Sequence, residues 1–413
     1  MPAKATHDSG IGIGGAGPRP GKLPRLDSLT GLRFPAALLV FLFHASLGVP
    51  WIRLFESDAA NDGFAKYVSQ AGALGVTFFF VLSGFVLTWS AREKDTFRAF
   101  WRRRFVKIYP NYVITWALAL LTFAAVMTKP WQAVVNLLMV QVWVPDFATN
   151  FSVDPPSWSL GAEAIFYLSF PLLYLLIKKI DPAKLKFWIA GTIAAVVLTP
   201  TLTYAVIPGG GMQMPGADGT STVQYWFAYV LPPVRLLDFA LGILVARAVM
   251  AGRWRNIGMT WSALLLAVSY AVAMNVEHLY GQRAVTLVPI VLLIAAVASR
   301  DAESRPTPFN NRFMIWLGEI SFAFYLLHYI VLAYSRDLLG DRLFSTPVGI
   351  ALIAAQAVVA VLLSWALYAW VEAPLTRRFS TSRKAKAARA AAAATAATPA
   401  SATADPAKLA EKV

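Results

Sequence analysis

Ten stretches of about 20 mostly apolar residues recur along this 413-residue chain, and a soluble core needs no runs of that length. A bilayer with a hydrocarbon layer of roughly 30 Å does need them. The sequence therefore predicts an all-α polytopic membrane protein with spans near 31–49, 69–90, 109–128, 158–177, 187–206, 226–246, 258–276, 284–299, 313–334 and 348–370. The composition agrees, at 57% hydrophobic and 14% charged. One further apolar segment, 131–144, has only 14 residues and reads as an interfacial or re-entrant piece rather than a crossing.

The basic residues orient the spans. With the N-terminus in the cytoplasm, 29 of the 37 Lys and Arg fall in segments 1–30, 91–107, 178–186, 247–255, 300–312 and 372–413, and six fall outside. An inside-positive bias in every loop supports ten crossings with both termini cytoplasmic; an eleventh crossing at 131–144 would invert everything after it. The net charge of +15 is thus read as topology and not as a nucleic-acid surface. Residues 1–24 and 380–413 have no apolar face to pack and read as disordered flanks of a membrane domain over 25–379. The N-terminal flank lacks a signal-peptide core, so the first span itself is expected to direct insertion into the cell membrane. The absence of cysteine removes disulfides, thiolate metal sites and a catalytic thiol, and no metal is expected. The glycine-rich loop 207–225 reads either as a lid or as a loose connector.

Ionisable groups inside spans are costly and mark candidate sites. Arg33 and His44 share the first span, eleven residues apart, on nearly one face and about 16 Å apart along the axis. Imidazole titrates near neutrality and suits proton transfer, although a lone histidine can equally bond a neighbouring helix. From the topology, His44, Glu163 and His328 all fall in the outer half, with Glu163 roughly 8 Å below the outer surface. They are expected to converge, unless Glu163 pairs structurally with a buried cation such as Arg235. The loop Arg98–Lys107 carries the densest basic cluster, including Arg103, Arg104 and Lys107. Arg104 and Lys107, at i and i+3, suit one phosphate, or the cluster anchors to lipid headgroups. Arg235 and Asp238 read as a self-neutralising pair, and Ser83-Gly84 as a point of close helix approach.

These segments, in order, resemble acyltransferase family 3. LDSLTGLRFPAALLVFLFHA is similar to its first-span signature, GVTFFFVLSGFVL to its second span and FWRRRFVKIYP to its Arg-x-x-Arg segment. PPSWSLGAEAIFYLSFPLL, RLLDFALG, EISFAFYLLH and VEAPLTRR resemble its later elements. The resemblance covers about residues 24–380 and implies a membrane O-acyltransferase that moves an acyl group, commonly acetyl, from acyl-CoA to a carbohydrate hydroxyl. It implies His44 as catalytic base with Arg33 as its motif partner, Arg103, Arg104 and Lys107 at the donor phosphates, and Glu163, Ser321, Tyr325 and His328 on functional elements. Acyl-CoA would be a substrate, not a bound cofactor. Two positions depart from the family pattern: Lys107 replaces a second arginine, and Thr77 stands where many members carry a carboxylate or amide. Some members carry a further esterase-like domain that this sequence does not show. The resemblance implies an acceptor that is either a cell-surface glycan or a cytoplasmic glycosylated small molecule such as a macrolide sugar. Intramembrane Arg, His and Glu would also suit a transporter or proton-coupled flippase for a lipid-linked glycan, but the two-halves symmetry common in transporters is missing. A membrane protein that only senses or binds is a third reading.

Overall fold

The computed structural model describes residues 23–91 and 95–379, and the two flanks read as disordered lie almost wholly outside the described residues. The helices are α1 (Asp27–Ala45), α2 (Asp58–Val68), α3 (Ala71–Trp89), α4 (Phe97–Thr122), α5 (Pro130–Leu137), α6 (Phe147–Asn150), α7 (Trp158–Ile177) and α8 (Leu185–Val206). They continue with α9 (Thr222–Tyr225), α10 (Pro232–Met250), α11 (Met259–Ala273), α12 (Leu287–Ala302), α13 (Arg312–Leu339), α14 (Thr346–Leu367) and α15 (Ala373–Phe379). Polar caps fix several starts: Thr96 Oγ1 accepts from the Ala99 amide at 3.3 Å, and Asn311 Oδ1 from Met314 at 2.9 Å. α13 stops at Gly340, whose φ of +64° ends the helix without a side-chain clash.

Each expected span coincides with a helix. Among the described residues, eight helical stretches are long and apolar enough to cross a membrane. The other two expected spans coincide with α4, which begins in the basic cluster, and with α11, which has 15 residues. Segment 131–144 holds only the eight-residue α5 and a 3-10 turn, too short to cross. The glycine-rich loop is neither loose nor shapeless. It folds into a hairpin of β1 (Gln213–Met214) and β2 (Ala217–Ser221). Ser221 then caps α9, with Gln224 reaching back in a capping box.

The packing centre is α3, clasped by α1 and α10. A Cβ on Gly84 would collide with the Phe239 carbonyl, and one on Gly242 with the Val81 carbonyl, so α3 and α10 touch backbone to backbone. Thr30 and Gly318 bring α1 and α13 together in the same way. Between α3, α10 and the segment before α12 lies a buried ion cluster. Asp238 sits 3.3 Å from Arg235 and 3.5 Å from Arg283, and all three are almost fully buried. Arg283, expected in an outside loop, instead donates to the carbonyls of Ala228 and Val234 at 3.0 and 2.8 Å. The expected two-residue pair is therefore a triad with one surplus cation. Its Arg235 guanidinium lies over the Phe80 and Tyr229 rings, each 4.8 Å from the centroid, which helps to offset desolvation.

Candidate active site

A cavity of about 920 Å³ opens beside the start of α1 and the end of α3. Leu23–Asp27, Trp89–Ala91 and Met250 form its mouth. Further in, Arg33 from α1, Ser83 from α3, Arg104 and Lys107 from α4, and Glu163 and Tyr167 from α7 line the wall. Ser321 lies one turn short of Tyr325 on α13, and the far end is closed by Phe79, Ser159 and Tyr325. With Arg25 and Asp27 at the mouth, four cations and two carboxylates thus face a single space, a lining suited to an anionic ligand. The spacing explains how. Arg104 and Lys107 are one turn apart on α4, and Ser159, Glu163 and Tyr167 recur every fourth residue along one face of α7.

Hydrogen bonds fix these groups. Tyr167 Oη donates to Glu163 Oε2 at 2.9 Å, and Ser83 Oγ donates to Tyr167 at 3.4 Å. Arg33, Arg104 and Lys107 share the cavity wall with Glu163. The Tyr325 and Ser159 hydroxyls lie 2.8 Å apart, and both reach the Pro156 carbonyl. Ser321 turns its hydroxyl to the Gly318 carbonyl at 2.8 Å.

One turn beyond Tyr325 lies a second polar centre. His44 Nδ1 and His328 Nε2 are 2.9 Å apart, and His328 Nδ1 lies 3.2 Å from the Phe324 carbonyl. His328 is fully buried, and His44 is half-buried. Phe41, Phe324 and Tyr329 pack around the rings, and Trp51 Nε1 donates to Tyr329 Oη at 3.1 Å.

The structure separates groups that the sequence reading expected together. His44 meets His328, but Glu163 does not join them. The Ser159–Tyr325 contact sets a common level on α7 and α13; Glu163 lies one turn to one side of it and His328 one turn to the other, so they stand about 10 Å apart along the axes. Glu163 faces the basic wall instead. Arg33 likewise faces the cavity, while His44, eleven residues further along α1, belongs to the imidazole centre. The carboxylate partner of Arg235 is Asp238, not Glu163. Thr77, at the departing position, accepts from Arg235 Nη2 at 3.2 Å and so belongs to the ion cluster, not the cavity. Arg103 is turned onto Asp95, with Nη1 to Oδ1 at 3.0 Å, away from Arg104 and Lys107. Ser83, Ser159 and Tyr167 were not foreseen on the wall. The four-residue repeat on α7 is the signal that would have found two of them.

Residues 26–369 match the family described as Acyltransferase domain. The chain is similar to Acyltransferase MdmB of Streptomyces mycarofaciens, 39% identical over 376 residues, which cover 88% of this chain and 95% of that protein. It is also similar to O-acetyltransferase OatA of Staphylococcus aureus, 24% identical over 76% of this chain and 51% of OatA. Peptidoglycan O-acetyltransferase OatA of Listeria monocytogenes is 24% identical over 76% of this chain and 50% of its own length. No solved structure matches the chain.

Proposed function

The chain belongs to this membrane acyltransferase family, and from that premise we propose that it transfers an acetyl group from acetyl-CoA to a carbohydrate hydroxyl, on a cell-surface glycan or on a glycoside. The observation that carries the reading is the basic cavity, which ends one helical turn from a histidine pair. The acetyl choice is supported by the two relatives named O-acetyltransferase.

In this mechanism the donor enters the cavity mouth from the cytoplasm, and its phosphates meet Arg33, Arg104 and Lys107. Its thioester extends towards Tyr325. The acceptor approaches from the opposite side of the cell membrane, and His44 Nε2 removes its hydroxyl proton. The alkoxide oxygen attacks the thioester carbonyl, and the Ser159 and Tyr325 hydroxyls, turned from the Pro156 carbonyl that they meet in the resting site, would donate to the oxyanion that develops. Collapse of the adduct breaks the C–S bond, the thiolate takes the proton held by His44, and ester and free CoA leave.

The test uses the full chain in lipid nanodiscs with [14C]acetyl-CoA and two acceptor sets, peptidoglycan fragments and glycosides with free hydroxyls. Label transferred to an alkali-labile ester on either set supports the reading. CoA release without a labelled carbohydrate in both sets, under conditions where the protein binds donor, would overturn it.

A further inference from the structure

We propose that His328 is a positioning residue that fixes the tautomer of His44 through a carbonyl–imidazole–imidazole chain; the inference rests on His44 being the base. The Phe324 carbonyl can only accept, so the His328 Nδ1 atom 3.2 Å from it carries a hydrogen. A neutral His328 then holds a lone pair at Nε2. That lone pair faces His44 Nδ1 at 2.9 Å, and the Val40 carbonyl, one turn back on α1, is a second acceptor beside the ring, so His44 Nδ1 carries the next hydrogen. The result leaves the lone pair of His44 on Nε2, the atom free to take a proton. Reversing the chain would set a lone pair of His328 against the lone pairs of a buried carbonyl, leaving both without a donor away from water. A doubly protonated His328 would also reverse the second link, but it would leave a cation among Phe41, Phe324 and Tyr329 in a fully buried place.

The geometry is redundant in a useful way. Phe324 precedes His328 by one turn on α13, so the same helix that carries the ring supplies the carbonyl that orients it. When His44 Nε2 takes a proton from the acceptor, His44 becomes an imidazolium. Its Nδ1–H then donates a charge-assisted hydrogen bond to neutral His328, and no covalent bond at His328 forms or breaks. A carbonyl at the end of the chain, where other enzymes place a carboxylate, keeps the resting site uncharged.

Two substitutions and one spectrum test this. His328→Leu keeps a side chain of similar breadth without an acceptor; kcat should fall on the order of 10²–10³-fold while KM for acetyl-CoA stays unchanged. In His328→Gln the amide oxygen can stand where Nε2 stood and accept from His44, so kcat should remain within about tenfold of the parent. Solid-state 15N NMR of the 15N-histidine-labelled protein in bilayers, with His44 assigned by its loss in His44→Gln, should show Nδ1 protonated and Nε2 bare. A proton on His44 Nε2, an unchanged kcat in His328→Leu, or a folded His328→Gln as slow as His328→Leu would each overturn the proposal. The spectrum needs no substrate. A failure of the acyl-transfer reading would instead show as a parent protein that puts no label on carbohydrate, and an active His44→Ala would show that His44 is not the base, whatever the tautomer.

Discussion

At Lys107 the chain keeps a cation on the cavity wall but gives up the planar fork of a guanidinium, so on the inner wall bidentate grip of phosphate falls to Arg33 and Arg104. Arg104→Ala and Lys107→Ala should therefore raise KM for acetyl-CoA with little change in kcat, because phosphate binding is equal in ground and transition states. Lys107→Arg should lower that KM or leave it unchanged. A donor KM untouched in both alanine variants would return the cluster to lipid anchoring. At His44 the expectation is a loss of kcat: His44→Ala and His44→Gln should both lose about 10²–10⁴-fold while inserting normally, and near-parental turnover in His44→Gln would make the ring structural. Asp154 gives a stability prediction. It is 1% exposed, neither carboxylate oxygen has a hydrogen-bond partner, and burial pushes its carboxyl well above the usual range. A carboxyl raised in the fold costs nothing below its unfolded value and costs progressively more as pH climbs towards the folded value. Asp154→Asn should thus melt higher than the parent at pH 7, with the gap closing near pH 3–4, where the unfolded carboxyl is itself protonated (about 3.9). Equal melting at both pH values would show the carboxyl to be partnered. The residue types were legible because charges stand out in apolar runs. Their grouping was not: depth estimates placed Glu163 beside the histidines, and only the Ser159–Tyr325 contact shows that Glu163 and His328 stand about two turns apart, on opposite sides of that level.

Between elements, the tightest constraint is the α3–α10 seam. At Gly242 even one methyl group would meet backbone, the Val81 carbonyl, which cannot rotate out of the way. Gly242→Ala should therefore destabilise the protein by about 1–3 kcal/mol, as overpacking does elsewhere, and lower its melting temperature in detergent. Gly191, exposed on α8 with nothing within 4 Å of a built Cβ, is the matched control. There Gly191→Ala should be neutral or stabilising, by about 0.5–1 kcal/mol, because alanine favours the helix. Equal melting of the two variants would mean that the seam yields easily. The sequence exposed Ser83-Gly84 as a small-residue site, since a glycine inside a span has few other uses. It could not say which helix fills the notch, because apolar residues on every face of a membrane helix erase the periodic stripe that marks an interface in soluble proteins. The ion cluster was half-visible for a similar reason. Arg235 and Asp238 share one helix and can be paired by spacing, whereas Arg283 joins from a separate segment through contacts that no local pattern records.

At the scale of the whole molecule the chemistry depends on which side of the membrane the basic cavity mouth faces. Ten helices fall where ten apolar runs predicted them, and the short 131–144 segment stops well short of a crossing, so the alternation of loops follows from the count. The direction of that alternation rests on charge: 29 of 37 basic residues lie on the side assigned to the cytoplasm, the same side as the cavity mouth at Leu23–Asp27 and Trp89–Ala91. A chain without cysteine allows a direct test, because any introduced thiol is labelled without background. Ser221 would be a poor site, since it is buried and caps α9, so the reporters are better placed at exposed residues. Met212 and Arg342 serve the expected outer face, and Lys184 and Arg377 the inner one. On intact cells an impermeant maleimide should label Met212→Cys and Arg342→Cys only, and all four after permeabilisation. Labelling of Lys184→Cys and Arg377→Cys in intact cells, with the other two protected, would turn the cavity mouth outward, away from the cytoplasmic pool of acyl-CoA, and the donor route proposed above would fail. Labelling of Met212→Cys and Arg377→Cys together, with Lys184→Cys protected, would mean that one helix between 213 and 377 does not cross, and the 15-residue α11 would be the first to re-examine. The first four crossings, which carry Arg33, His44, Arg104, Lys107 and Glu163, would keep their sidedness in that case, whereas α13 would need a new one. His328 would then have to reach His44 from a helix running the other way through the bilayer, which the 2.9 Å contact between the two rings forbids in this fold. That mixed pattern would therefore count against the packing of α1 on α13 and not merely against the span count.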